Sequence, residues 1–204
     1  MREQLKWVIE MYDKHQSEIQ NACSLNINVC AEALHFVSRS IRNHFCRMPI
    51  ITEQEHTMGV EAPSLQQQIK LDAFENINSN KKHLHNILYY SDLSDAEKLL
   101  SMTSIPGIGI VKAGFILQLC TGKVGCLDVH NLKMFGFSES AFKFSKSVKQ
   151  STALAKCNLY IETCEKLGGS RFLWNNWCEF IAAKYPKHFT SAEQVSQMHV
   201  DLIV

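Results

Sequence analysis

Residues 104–114 read SIPGIGIVKAG, and residues 125–131 read GCLDVHN. In the first stretch Pro106 fixes φ, while Gly107 and Gly109 permit a tight turn and leave its backbone without side-chain cover. On the amino side, DLSDAEKLLSM (residues 92–102) carries Ser94 with Glu97 three places on, the pattern of a capping box, and predicts a short helix. On the carboxyl side, an apolar run predicts a second helix from about Ile110 to Thr121, closed by Gly122. The first N–H groups of that second helix have no intrahelical partner and carry the positive end of its dipole. An anion is the fitting ligand there, a phosphate the natural one, and Lys112 can add a contact to the same backbone. Taken alone, PGIG also reads as a plain helix–helix turn.

Asp128 lies between Leu127 and Val129. A carboxylate among apolar neighbours is partly desolvated and must be held by hydrogen bonds. Asp128 also suits the N-cap of a helix beginning near Asn131, and the two roles are compatible.

Outward from this core, nearly every segment has helical spacing. Residues 2–20 place Leu5, Val8, Ile9, Tyr12 and Ile19 on one face; residues 29–46 do the same with Val29, Ala33, Phe36, Val37, Ile41 and Phe45, up to a stop at Pro49. Residues 47–63 are mixed and end in Ala62-Pro63, a candidate loop between lobes. Further helices are expected from Ser64, a possible N-cap, to about Glu75, around 80–90, over 139–167 up to Gly168-Gly169, and over 171–184 as the last clear one. No alternating strand pattern and no repeat appears, so the class is all-α.

The 204 residues suit one large domain or two small lobes, and 46% hydrophobic against 20% charged residues is an ordinary globular balance. No apolar stretch approaches the roughly 20 residues of a membrane span, and the charged N-terminus has no signal-peptide core. The expectation is a soluble intracellular protein with no membrane partner. Eight cysteines without a CxxC pair read as reduced, buried thiols. The net charge of +1 hides an asymmetry: residues 1–104 carry 10 Lys/Arg and 13 Asp/Glu, residues 105–204 carry 11 and 7. The basic bias begins at the hairpin, a weak sign of nucleic acid.

IPGIGIVKAGFILQL followed by CLDVHNLKMFG resembles the core of the helix-hairpin-helix (HhH-GPD) DNA glycosylase superfamily, over about residues 93–137. The resemblance implies a single two-lobed helical unit over 1–204, with the DNA and base cleft between the lobes and residues 138–204 completing them with the N-terminal helices. It implies Asp128 as the catalytic carboxylate, acting on a base flipped out of double-stranded DNA. Gly107, Gly109 and the N–H of Val111 would bind a phosphate, and His130, two places after the aspartate, would contact the DNA backbone or simply pack. Bifunctional members carry a lysine two residues after the second hairpin glycine. Val111 stands there, with Lys112 one place later and expected to face the DNA backbone rather than the pocket. The chain therefore resembles the monofunctional members, which remove a damaged, mismatched or modified base without strand cleavage. A non-catalytic DNA-binding protein, or an enzyme for hypermodified bases, are the alternatives.

Some members hold a four-cysteine iron–sulfur cluster. Cys157 and Cys164 have the first spacing, but Cys178 is the only later cysteine, so no cofactor and no metal are expected, and zinc at Cys126 and His130 lacks paired spacing. A monomer is expected. Trp174 and Trp177 lie at helical spacing and read as core or as a pocket wall; Trp7, Phe135 and Phe137 read the same way. His83 and His85 read as surface residues beside Lys81 and Lys82.

Overall fold

A computed structural model describes residues 2–58, 68–138, 140–145 and 147–204, and for residues 2–12 and 54–58 the helical backbone only. The described residues contain helices and no strand: α1 (Arg2–Leu25), α2 (Ile27–Arg39), a 3-10 turn (Phe45–Arg47), α3 (Met48–Met58), α4 (Gln68–Tyr89), α5 (Asp95–Met102), α6 (Ile110–Thr121), α7 (Val129–Met134), α8 (Gln150–Lys166), α9 (Gly169–Lys184) and α10 (Ala192–Ile203). The class is all-α.

α6 organises the core. FILQLC is apolar around the whole helix, and Ile110 and Ala113–Cys120 are all buried. It touches α1, α2, α4 and α5. Tyr89 at the end of α4 donates from its hydroxyl to Cys120 O (2.8 Å), and the His85 ring, buried rather than on the surface, bonds Cys23 O (3.0 Å). The hairpin forms as its sequence dictates. Ser94 caps α5 in a reciprocal box with Glu97, and Gly122 ends α6 at φ 69°.

Four boundaries differ from those the sequence suggests. The helix expected over 29–46 ends at Arg39, and Pro49 sits in the first turn of α3, where a missing N–H costs nothing. Segments expected as two helices, 64–75 and 80–90, join from Gln68 on in the single α4, because a buried stripe of Lys70, Ala73, Ile77, Leu84 and Leu88 runs through the asparagines between them. The Ser64 cap, the Ala62-Pro63 loop and the side chains of Leu5, Trp7, Val8, Ile9 and Tyr12 lie outside the described residues. The helix expected from 139 begins only at Gln150. Ahead of it, Ser138 Oγ accepts the N–H of Ser140 and Ser145 Oγ that of Ser147, local bonds that compete with a helix. Finally, α10 was hidden in a segment without an expected helix. Ser191 caps it through Gln194 N–H, and Val195, His199, Val200 and Ile203 are its buried face.

Candidate functional site

Between Gly122 and α7 the chain bends and passes through Val124, Cys126 and Leu127, all buried. Several side chains pin it. The Tyr160 hydroxyl, fully buried, accepts the N–H of Leu127 (2.9 Å) and donates to Gly125 O (3.0 Å), which also accepts from Cys164 Sγ at 3.3 Å. Asn131 Nδ2 donates to Cys126 O at 2.9 Å. The Tyr160 ring can reach the loop only because α6 has Gly114 at their crossing; a Cβ there would lie 2.5 Å from the hydroxyl oxygen.

Asp128 is the N-cap of α7. Its Oδ1 accepts the N–H groups of His130 (3.0 Å) and Asn131 (2.9 Å). Its Oδ2 accepts the indole Nε1–H of Trp177 on α9 (2.8 Å). Three donors thus fix the carboxylate in one rotamer on the wall of a cavity of about 430 Å3, the size of many small-molecule sites. Phe45, Phe115, Trp174 and Trp177 give that cavity aromatic sides. Among the described residues Asp128 is the only carboxylate on its lining, against Arg42, Lys112 and Lys184.

Lys112 stands in this cavity, not turned away from it. Its Nζ donates to Ser40 Oγ (2.7 Å), at the break after α2, and lies 5.7 Å from the Phe115 ring centre. Burial pushes the amine below its ordinary pKa, and the neighbouring Cys126 thiol and Asp128 partly oppose that shift. Expected to face the DNA backbone rather than the pocket, Lys112 borders both the hairpin's outer groove and this cavity, because a helical side chain leans back toward the N-terminus and four methylenes carry the amine to Ser40. Val111 lines the same cavity.

The hairpin glycines divide their work. Gly107, at φ 76°, is covered rather than bare: a Cβ would lie 3.1 Å from Ile69 and 3.2 Å from Ile41. Gly109, the N-cap of α6, is exposed and has nothing within 4 Å of where its Cβ would be. His130 donates its backbone N–H to Asp128, and its ring stacks on Phe180 with centres 4.2 Å apart. Desolvation lowers its pKa, Asp128 pushes it back up, and Lys184 and Lys133 lower it further.

Trp177 was legible only as an aromatic at helical spacing, yet of the two tryptophans it is the one that reaches Asp128; Trp174 Nε1 bonds Ser196 Oγ (3.0 Å). Ser40, Arg42, His44 and Tyr185 join the lining from segments that carry no motif, with His44 Nδ1 and the Tyr185 hydroxyl 2.9 Å apart. Arg42 has the only positive φ of a non-glycine residue among the described residues, 59°. It marks the sharp turn that brings this segment over the cavity. All eight cysteines are unpaired, and among the described residues no three His, Cys, Asp or Glu side chains are placed to hold a metal ion. No helix of the described residues is long and apolar enough to cross a membrane.

Compared with protein-family models, with characterised proteins and with solved structures, the chain has no match.

Proposed function

We propose that the chain is a monofunctional DNA N-glycosylase of the helix-hairpin-helix kind, built as two helical lobes with the base cleft between them. The observation that carries this is Asp128: a carboxylate fixed by three N–H donors on the wall of an aromatic cavity, one loop away from an open helix N-terminus. A base turned out of duplex DNA stacks against the aromatic walls, while the N–H groups after Gly109 take a backbone phosphate. The C1′–N bond then breaks and the base leaves with the bonding electron pair. Positive charge develops on the sugar, and Asp128 lies where it opposes that charge. Water adds to C1′ and yields its proton to the carboxylate, the departed base takes up a proton from solvent as the carboxylate returns its own, and a free base and an abasic site are left.

Asp128→Asn tests the proposal, because asparagine caps helices about as well as aspartate and the two backbone bonds survive; its amide would meet the indole N–H of Trp177, so the exchange is also made in Trp177→Phe. Duplexes carrying uracil, mismatched thymine, 8-oxoguanine, alkylpurines or hydroxymethylated and glycosylated pyrimidines are incubated and then heated in alkali to reveal abasic sites. The wild type is expected to cleave at least one, and Asp128→Asn to lose about 10²–10⁴-fold in rate. Binding of these duplexes without excision of any would instead favour a DNA-binding protein in which Asp128 serves as a cap.

The position of Lys112 favours a second reading. Its amine shares the cavity with Asp128 and is depressed toward the neutral, nucleophilic form, so attack on C1′ and strand cleavage are open to it. Borohydride separates the two: a covalent protein–DNA adduct that disappears in Lys112→Gln assigns lyase chemistry, and its absence from the wild type leaves water as the nucleophile.

A further inference from the structure

The hairpin borders a second depression, of about 870 Å3, that shares Val111 and Lys112 with the Asp128 cavity. Its one wall is the hairpin, from Thr103 to Lys112. The opposite wall is the segment ahead of α8, through Phe142, Lys143, Phe144 and Val148 to Gln150. This is the stretch that serine turns keep out of a helix, so the groove exists because α8 starts late.

Neither wall carries a carboxylate. No Asp or Glu occurs between Glu97 and Asp128 or between Glu139 and Glu162, whereas the second stretch carries Lys143, Lys146, Lys149 and Lys156. Lys156 is spent on structure, its Nζ donating to Lys143 O and so anchoring the segment to α8. Lys143 and Lys149 are exposed, and neither has an ion pair or side-chain hydrogen bond among the described residues. The floor between is apolar, with Ile105, Ile108 and Val111.

We propose that the wall formed by 142–144 and 148–150 is a second phosphate-binding wall, which grips, through Lys143 and Lys149, the same DNA strand that the hairpin holds at Gly109. A groove with an apolar floor and one cationic rim fits a sugar–phosphate backbone: sugars pack on the floor and the phosphates meet amines on one side and helix N–H groups on the other. This rests on the DNA reading of the Asp128 site and adds to it a grip that carries no base specificity.

The test is the salt dependence of binding to a short fluorescent duplex with a tetrahydrofuran abasic analogue, by anisotropy between about 50 and 200 mM KCl. Lys143→Ala/Lys149→Ala is expected to lower the slope of log K against log[salt] by about two, close to 0.9 for each phosphate that the protein no longer neutralises. Lys166→Ala, roughly 24 Å along α8 from Gln150 at 1.5 Å per residue, is expected to leave the slope unchanged. Both exchanges remove exposed lysines, and matching circular dichroism establishes that the variants are folded. A double variant with the wild-type slope overturns the second wall and leaves the glycosylase reading standing. A wild type that does not bind the duplex overturns both.

Discussion

Tyr160 is the most testable joint between the scaffold and the candidate site. Tyr160→Phe removes one oxygen and no ring. Gly125 O keeps a donor in Cys164 Sγ, but the N–H of Leu127, in a residue with no exposed surface, is left without a partner. One orphaned buried donor costs about 1–3 kcal/mol, so a loss of about 2 kcal/mol is expected. For a chain of this length that is a fall in Tm of about 4–8 °C. Gly114→Ala attacks the same joint from the other side. Its Cβ would meet Tyr160 at 2.5, 2.8 and 2.9 Å, and the ring has nowhere to go, being fully buried with the edge of Phe142 against it at 5.0 Å between centres. Overpacking adds about 1–3 kcal/mol to the broken hydrogen bond, for about 3–5 kcal/mol in all. The double variant should cost less than the two singles together, because the bond can be broken only once. Urea unfolding measures all three, and amide exchange at Leu127 locates the effect. Since Asp128 follows Leu127 directly, single-turnover excision by folded Tyr160→Phe is also expected to fall about 10-fold, as misplacement of a reacting group does. A stability change below about 0.5 kcal/mol with unchanged Leu127 protection would refute the reasoning.

Other substitutions separate roles that lie close together. Trp177→Phe removes one of three donors to Asp128 while keeping an aromatic wall; a bond to a charged group is worth about 1.5–3 kcal/mol, so excision should slow roughly 10–100-fold with little change in substrate binding, read as kcat against KM. Gly107→Ala, at φ 76° and against Ile69, should cost stability, whereas Gly109→Ala, with open space around it, should cost about 1 kcal/mol or less and act on DNA affinity, which unfolding and anisotropy distinguish. His199, fully buried among Phe36, Phe45 and Trp174, is pushed by burial down to about 3, with Nδ1 on Val195 O and, among the described residues, no partner at Nε2. A depressed histidine stabilises the fold above the unfolded value of 6.5 and loses that contribution as pH falls toward 3, so about 2 kcal/mol should go between pH 7 and pH 5, and His199→Phe should flatten that dependence in urea titrations.

The hairpin and the cap of Asp128 were legible because both are local: a capping box, two glycines and an aspartate two and three residues ahead of the N–H groups it accepts. The helix boundaries that went astray were decided elsewhere. α4 continues through poor helix formers because its buried stripe continues, and ahead of α8 serine hydroxyls capture the N–H groups of Ser140 and Ser147 and so compete with a helix. The site itself depends on chain crossings that no local pattern announces. Ser40 lies 72 residues from Lys112, Trp177 49 from Asp128 and Tyr185 141 from His44. The Gly114–Tyr160 crossing shows the same limit, since a glycine inside a helix signals close approach but does not name the partner.

Capping alone does not account for the residue type at 128. A cap needs one oxygen, which serine or asparagine supplies. At this position both carboxylate oxygens are engaged: Oδ1 with two backbone N–H groups, Oδ2 with Trp177. A carboxylate has about four acceptor sites, so three are filled and one, on Oδ2, is left for the cavity. That is where a water or the charge-bearing sugar would be met. Asparagine would keep the cap but turn its amide N–H groups toward the indole N–H, donor against donor. The way to separate cap from chemistry is therefore to place Asp128→Asn in Trp177→Phe, where that conflict is absent. If Asp128 is a cap and nothing more, asparagine in this background is nearly neutral for stability and excision proceeds at the rate of Trp177→Phe. If its remaining acceptor site does the chemistry, stability is still nearly unchanged but excision falls a further 10²-fold or more.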